Sequence, residues 1–261
     1  MPEIKTDDGC IIHAEIEGPE RAPVLMLSNS LGTNLHMWDD QVAPFTRHFR
    51  LLRYDRRGHG KSGVPKGPYS MARFGRDALA VLDALNIGKT NWCGLSMGGM
   101  VGQWLGANAP SRVDKLVLSN TSSYFADKSL WEGRLKLVRE KGVAGIVDAN
   151  MERWFTKEFR ERAPQPVAKI RDMFLATNAE GYCACGEAIR DMDLRPVLAK
   201  ICAPTLVIAG RNDPATPLDA NEFIQAHIPD ARIAVLEAAH LANVEQPKAY
   251  ADTVLEFLLE K

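Results

Sequence analysis

A serine with glycines two positions to either side, Gly94-Leu95-Ser96-Met97-Gly98-Gly99, follows a short apolar run at 91–94 and precedes a small-residue helical pattern at 100–105. A sharp strand-to-helix turn of that kind lifts a hydroxyl above the sheet. It needs small flanking residues because strand and helix pass close together there. The chemistry it prepares is nucleophilic attack. A serine hydroxyl is a weak nucleophile without an adjacent base, and in sites of this type the chain order is nucleophile, acid, histidine, with the histidine after the last strand. Of His13, His36, His48, His59, His227 and His240, only His240 has that position: it follows the run at 232–236 and precedes a helix expected to begin near Gln246-Pro247. The acid belongs after the penultimate strand. The run at 205–209 leads into Gly210-Arg211-Asn212-Asp213-Pro214, so Asp213 is the group that would hold the imidazole in one tautomer and stabilise the imidazolium. The other position open to an acid, after the preceding strand, reads Ser119-Asn120-Thr121 and offers no carboxylate, and Asp191, Asp193, Asp219 and Asp230 follow no strand. An oxyanion at the attacked carbonyl needs backbone donors. One is the N–H of Met97, next to the nucleophile; the other comes from the loop after 24–28, Asn29-Ser30-Leu31-Gly32, where Leu31 is the expected donor.

Other chemistries fail on spacing. Gly60-Lys61-Ser62 looks like the end of a phosphate loop, but Asp55 stands where the partner glycine must be. The chain has no G-x-G-x-x-G and no H-E-x-x-H, so neither a dinucleotide cofactor nor a catalytic metal is expected.

The elements that must position these groups are short strands and helices in alternation. Apolar or β-branched runs at 24–28, 49–54, 91–94, 113–119, 205–209 and 232–236 are bounded by turn residues and fit strands buried on both faces of a parallel sheet. The run 74–85 places Phe74, Ala78, Leu82 and Leu85 on one helical stripe. The stretch 11–16 alternates and is expected to form an antiparallel edge hairpin. Together these predict an α/β fold. One interval is anomalous: Val113 and Thr205 lie 92 positions apart, and the stretch between them is helical, amphipathic and rich in aromatic residues. Residues 125–195 are therefore expected to form a helical lid over the carboxyl ends of the strands, where open α/β sheets bind ligands, with 1–124 and 196–261 as the core.

A chain of 261 residues with 46% hydrophobic and 25% charged residues can bury a sizeable core without cross-links or metal. The balance of 32 basic against 33 acidic side chains leaves no electrostatic footprint for nucleic acid or anionic membrane. Recognition of an anionic ligand must then be local. Cys10, Cys93, Cys183, Cys185 and Cys202 form neither a disulfide framework nor a zinc ribbon. The start, Met1-Pro2-Glu3-Ile4-Lys5-Thr6-Asp7-Asp8-Gly9, lacks the basic patch and apolar stretch of a signal peptide, so free thiols in the cytoplasm are the expectation.

Over essentially its full length the chain resembles the α/β-hydrolases. Asp55-Arg56-Arg57-Gly58-His59-Gly60-Lys61-Ser62 matches that family's D-x-R-G-x-G-x-S loop, whose implied role is a tight turn and a buried arginine. Within the family the chain is similar to the 3-oxoadipate enol-lactonases. The points of likeness are Ser28-Asn29-Ser30-Leu31-Gly32, the Ser96 turn, Asp213-Pro214-Ala215-Thr216-Pro217 and His240-Leu241-Ala242-Asn243-Val244-Glu245-Gln246-Pro247. Many relatives carry His-Gly where this chain has Asn29-Ser30; the lactonases are like this chain. The resemblance implies an α/β-hydrolase fold, a mostly parallel twisted sheet flanked by helices with a helical lid. It also implies a cofactor-free hydrolase in the β-ketoadipate route of aromatic breakdown, acting on a small anionic five-membered enol-lactone. Such a carboxylate needs a cationic or amide partner in a mostly apolar pocket. Arg134 lies one helical turn from Trp131, so both can face one pocket, and Trp154 is the expected apolar wall. Arg139, Arg153, Arg160, Arg162 and Arg190 are read as surface residues. A carboxylesterase, a carbon–carbon bond hydrolase or a perhydrolase would use the same three groups. So would a ligand receptor that keeps them and signals through its lid. A haloalkane dehalogenase needs an aspartate where Ser96 stands.

Overall fold

All six apolar runs become strands of one sheet. In the computed structural model, which describes residues 3–260, the elements begin with β1 (Ile4–Lys5), β2 (Ile11–Ile12), β3 (Ala14–Glu17), β4 (Val24–Ser28), α1 (Asp39–Phe45), β5 (Arg50–Tyr54), α2 (Met71–Ala84), β6 (Thr90–Leu95), α3 (Met97–Asn108) and β7 (Val113–Ser119). Five helices follow: α4 (Ser129–Lys141), α5 (Val147–Trp154), α6 (Lys157–Arg162), α7 (Pro164–Leu175) and α8 (Ala179–Asp191). The chain closes with β8 (Thr205–Gly210), α9 (Leu218–His227), β9 (Arg232–Leu236), α10 (Ala242–Glu245) and α11 (Pro247–Leu259). The seven-stranded sheet has the order β3-β5-β4-β6-β7-β8-β9, and every pairing is parallel except that of β3 with β5. Strands β6 and β8 are buried along their whole length, which is why they read as continuous apolar runs rather than alternating ones. Helix α2 packs on α3 and α1 on α11, supplying the helical layers of the α/β arrangement. Of the polar N-terminal stretch, Met1 and Pro2 lie outside the described residues.

Two local expectations are corrected. The alternating stretch 11–16 is not a hairpin but is divided at His13. Ile11 and Ile12 pair with Lys5 and Ile4 in a separate two-stranded sheet, while Ala14–Glu17 forms the antiparallel edge of the main sheet. The cause is tertiary: the His13 N–H donates to Ser62 Oγ at 2.9 Å and the His13 carbonyl accepts from the Asp55 N–H at 2.9 Å, so a distant loop takes the bonds at the break. The helix expected over 74–85 starts three residues earlier. Ser70 caps it, accepting from the Arg73 N–H at 3.1 Å, a signal that side-chain periodicity does not carry.

Helices α4 to α8 sit across the loops that leave the carboxyl ends of the strands. The Leu241 N–H donates to the Trp154 carbonyl at 3.1 Å, Thr177 Oγ1 donates to the Gly32 carbonyl at 3.2 Å, and Lys169 pairs with Asp39 at 2.8 Å. Gly58 and Gly181 meet backbone to backbone: a Cβ on Gly58 would stand 2.9 Å from the Gly181 Cα. Among the described residues, no helix is long and apolar enough to cross a membrane.

Candidate active site

Ser96 sits between β6 and α3 with φ +57° and ψ −117°, a strained conformation that a non-glycine residue adopts at a cost of about 1–3 kcal/mol. The turn is held from both sides. The Ser96 N–H donates to the Ser119 carbonyl at 2.8 Å, and the Ser96 carbonyl accepts from Thr121 Oγ1 at 2.7 Å. The flanking glycines are obligatory for a more specific reason than strand–helix proximity. A Cβ on Gly94 would collide with the Gly98 carbonyl, and one on Gly98 with the Ser28 carbonyl of the neighbouring strand β4. The helix is thus wedged against two strands, and the serine is lifted above the sheet.

His240 follows β9, and Asp213 follows β8. Both are buried, and His240 Nδ1 lies 2.8 Å from Asp213 Oδ2. The carboxylate is saturated with donors: Oδ2 also accepts from Thr216 Oγ1 at 2.7 Å and Asn120 Nδ2 at 3.1 Å, and Oδ1 accepts from the N–H groups of Ala215 at 2.8 Å and Thr216 at 3.1 Å. Burial alone pushes this carboxyl up. The electrostatic pairing with the facing His240 and the hydrogen bonds from His240 and Thr216 outweigh it, so the pKa lies below the ordinary carboxylate value. Ser96 and His240 line one cavity but are not within hydrogen-bond geometry of each other. Contacts of this kind often tighten only when reactants are in place. The Leu31 N–H, in the loop after β4, and the Met97 N–H, first in α3, donate to no acceptor among the described residues.

The cavity encloses about 160 Å³ and is mostly apolar, with Leu31, Met100, Phe125, Leu130, Trp131, Trp154 and Ile189 among its walls. The aromatic residues expected there are present in different ways. Trp154 is buried and stacks on His240, ring centroids 6.4 Å apart and planes 28° apart. Trp131 is half-buried, edge-on to Phe125. Arg134 reaches the cavity with its guanidinium 5.5 Å from the Trp131 ring, donating from Nε to Tyr182 Oη at 2.5 Å and from Nη2 to Asn150. Arg153, exposed as expected of a surface arginine, lines the cavity as well, a role its reading as a surface residue leaves out. Desolvation and the neighbouring Arg134 charge lower its pKa. Neither arginine has a carboxylate partner among the described residues. Asp127 also lines the cavity, but it accepts from the Ser129 N–H and hydroxyl at 2.9 and 2.6 Å.

A family model described as the alpha/beta hydrolase fold matches residues 23–247. The chain belongs to the α/β-hydrolase family. Among α/β-hydrolases of known sequence, it is 43% identical over 237 residues to 3-oxoadipate enol-lactonase 2 of Acinetobacter baylyi, covering 91% of this chain and 89% of that protein. It is also 37% identical to enol-lactonase 1 of the same organism, over 95% of this chain and 92% of that one. The crystal structure of the enol-lactonase from Burkholderia xenovorans superposes with a TM-score of 0.97 at 41% identity, covering 99% of this chain and all of the other. A thermophilic esterase from Thermogutta terrifontis superposes at 0.90 with 27% identity, covering 98% of this chain and 96% of that one.

Several residues of this α/β-hydrolase site escape a reading of the sequence. Asn120 occupies the other position open to an acid and instead donates to Asp213, at a left-handed backbone position with φ +44°. Thr216 had a legible signal, because an aspartate two and three residues before free N–H groups closes an Asx-type turn. Glu245 accepts from the Ala239 N–H at 2.9 Å and from Thr156, tying the His240 loop to α6. Arg153 had none: which face of α5 meets the cavity depends on how five helices pack.

Proposed function

We propose that this α/β-hydrolase opens a small anionic enol-lactone, 3-oxoadipate enol-lactone, through a Ser96–His240–Asp213 triad, with helices in 125–195 acting as a cap. Its place would be the breakdown of aromatic compounds. His240 takes the proton of Ser96 as the serine oxygen attacks the lactone carbonyl, and Asp213 holds the imidazole with its proton on Nδ1, leaving Nε2 as the base. The tetrahedral oxyanion accepts from the N–H groups of Leu31 and Met97, donors aligned before reaction. Collapse breaks the ring carbon–oxygen bond, and imidazolium returns its proton to the departing enol oxygen. The enol remains tethered to the acyl-serine, so ring closure competes with hydrolysis until ketonisation removes the nucleophile. Water, deprotonated by His240, then releases the dicarboxylate product. The triad and free donors support any serine hydrolase. The observation that carries the choice of an anionic substrate is the pair Arg134 and Arg153, two arginines on a mostly apolar cavity, neither in an ion pair with a carboxylate among the described residues. A bond from guanidinium to a carboxylate contributes about 1.5–3 kcal/mol, and Trp154 forms the apolar wall beside His240.

The test compares Ser96→Ala with the native protein on the enol-lactone, followed spectrophotometrically. The variant is expected to lose about four orders of magnitude or more in kcat. Near-normal turnover would reject Ser96 as nucleophile. A native preference for aryl esters over the lactone would favour a general esterase.

A further inference from the structure

The loop at 55–62 contributes no residue to the cavity, yet three of its side chains, Asp55, Arg56 and His59, are bonded to the segment that carries the Leu31 N–H. Asp55 Oδ1 accepts from the Leu35 N–H at 2.8 Å. Arg56, fully buried, donates to the Asn29 carbonyl, which also accepts from the Gly98 N–H of the elbow at 3.1 Å. Between these two anchors stands His59, itself 2% exposed, whose Nε2 accepts from the Gly32 N–H at 2.9 Å.

That last bond has a defined consequence. An imidazole nitrogen that accepts carries no proton, so the His59 proton sits on Nδ1, beside the Arg57 carbonyl and Cys185 Sγ. Burial and the adjacent Arg56 charge push the ring's pKa down to about 3, so the acceptor persists through the neutral range. The turn it holds is narrow. Gly32 has φ +77°, and a Cβ there would meet the Phe174 ring, so the backbone has little room to shift as a body. The Ser30 carbonyl accepts from Thr33 Oγ1 at 2.9 Å on one side of Leu31, and the Gly32 N–H is bound by His59 on the other. The two peptide planes that meet at the Leu31 Cα are therefore both tethered, the Ser30–Leu31 plane through its carbonyl and the Leu31–Gly32 plane through its N–H, and the Leu31 N–H of the first plane is left free. Without an acceptor at the His59 position, the Leu31–Gly32 plane would turn to bring the buried Gly32 N–H to another partner, and through the shared Leu31 Cα it would strain the plane that carries the Leu31 N–H.

We propose that His59 is a positioning residue for the oxyanion hole, aiming the Leu31 N–H through the Gly32 N–H···Nε2 hydrogen bond. The inference rests on the reading of Leu31 and Met97 as oxyanion donors. His59→Asn and His59→Gln separate it from a packing role, because the glutamine oxygen can occupy the place of Nε2 while the asparagine amide ends at the place of Nδ1. Both are assayed on the enol-lactone and on 4-nitrophenyl acetate. Both are also titrated with a trifluoromethyl ketone, which binds as a tetrahedral adduct, and with adipate, which needs no oxyanion donor. H59N is expected to lose about 10- to 100-fold in kcat and in ketone affinity, while KM and adipate affinity stay within about threefold; H59Q recovers most of the loss. Native kcat and ketone affinity in H59N would overturn the proposal. So would equal losses in both variants that include KM and adipate binding. Nitrogen NMR of the native protein gives an answer that does not depend on a variant folding: a His59 ring protonated on Nε2 would overturn it, and the Nδ1–H form is expected. If the native protein turned over neither the lactone nor the aryl ester, the hydrolase reading itself would fall; native turnover with an unaffected H59N removes only the role of His59.

Discussion

Asp213→Asn changes one oxygen to an NH₂ group, and the structure says which one. If the amide nitrogen took the place of Oδ1, it would face the backbone N–H groups of Ala215 and Thr216, neither of which can turn away. Two buried donors would then lose their acceptor, at about 1–3 kcal/mol each. If the nitrogen took the place of Oδ2, it would face Thr216 Oγ1, Asn120 Nδ2 and His240 Nδ1. The threonine hydroxyl can rotate to accept, and the imidazole can move its proton to Nε2 and accept at Nδ1. Only Asn120 stays in conflict, because its amide is also held by the Ala239 carbonyl at 3.1 Å. The second orientation wins by roughly one buried donor, about 1–3 kcal/mol. It leaves His240 protonated on the nitrogen that must act as base. The expected result is a loss of about 10⁴-fold in kcat, about 5 kcal/mol of barrier, with a modest change in melting temperature. Turnover of the lactone measures the first part, and ring-nitrogen NMR reads the His240 proton directly. A kcat within tenfold of native, or a His240 that keeps its proton on Nδ1 in a poorly active variant, would refute the reasoning.

Arg134→Ala is expected to raise KM for the anionic lactone by about 10- to 100-fold while leaving an uncharged aryl ester within a few-fold; an unchanged lactone KM removes Arg134 as the carboxylate contact. Gly98→Ala forces a methyl against the Ser28 carbonyl and should cost about 3 kcal/mol or more in denaturant unfolding, together with most of the activity. Native stability in that variant would show that the elbow can yield. Because the His59 ring stays neutral in the folded protein down to a pH of about 3, the unfolded chain takes up a proton that the folded one refuses once the pH drops below the ordinary value of 6.5. Stability should therefore decline with acid across that window, by up to about 1.4 kcal/mol per pH unit from this group. His59→Gln should flatten the decline, and equal slopes in denaturant titrations at stepped pH would contradict it.

Much of the site was legible because its demands are local. A serine on a sharp turn needs Gly94 and Gly98 in one short string, and an acid and a histidine each following a strand can be placed by chain order alone. The free N–H of Met97 follows from its being the first residue of a helix. What stayed hidden depends on residues far apart along the chain. Asn120 and Asp213 are 93 positions apart, and His59 and Gly32 are 27 apart. Neither pair has a spacing that a motif could encode, and an amide that donates to the acid has no sequence signature of its own. The hairpin at 11–16 failed for a related reason: alternation reports which side chains are buried but not which strand is the partner.

Patterns of apolar and turn residues by themselves determined that this chain forms a mostly parallel sheet with a strained serine at the end of β6, because burial and backbone strain act within a few residues. Only the tertiary structure decided the second tier of contacts. Those are the five donors around the Asp213 carboxylate, the histidine beneath the Leu31 turn, and the pair of arginines on the cavity. Each depends on orientation across elements, where a shift of an ångström decides whether a hydrogen bond exists. Residue type and order along a chain do not carry that information until the helices and strands have packed.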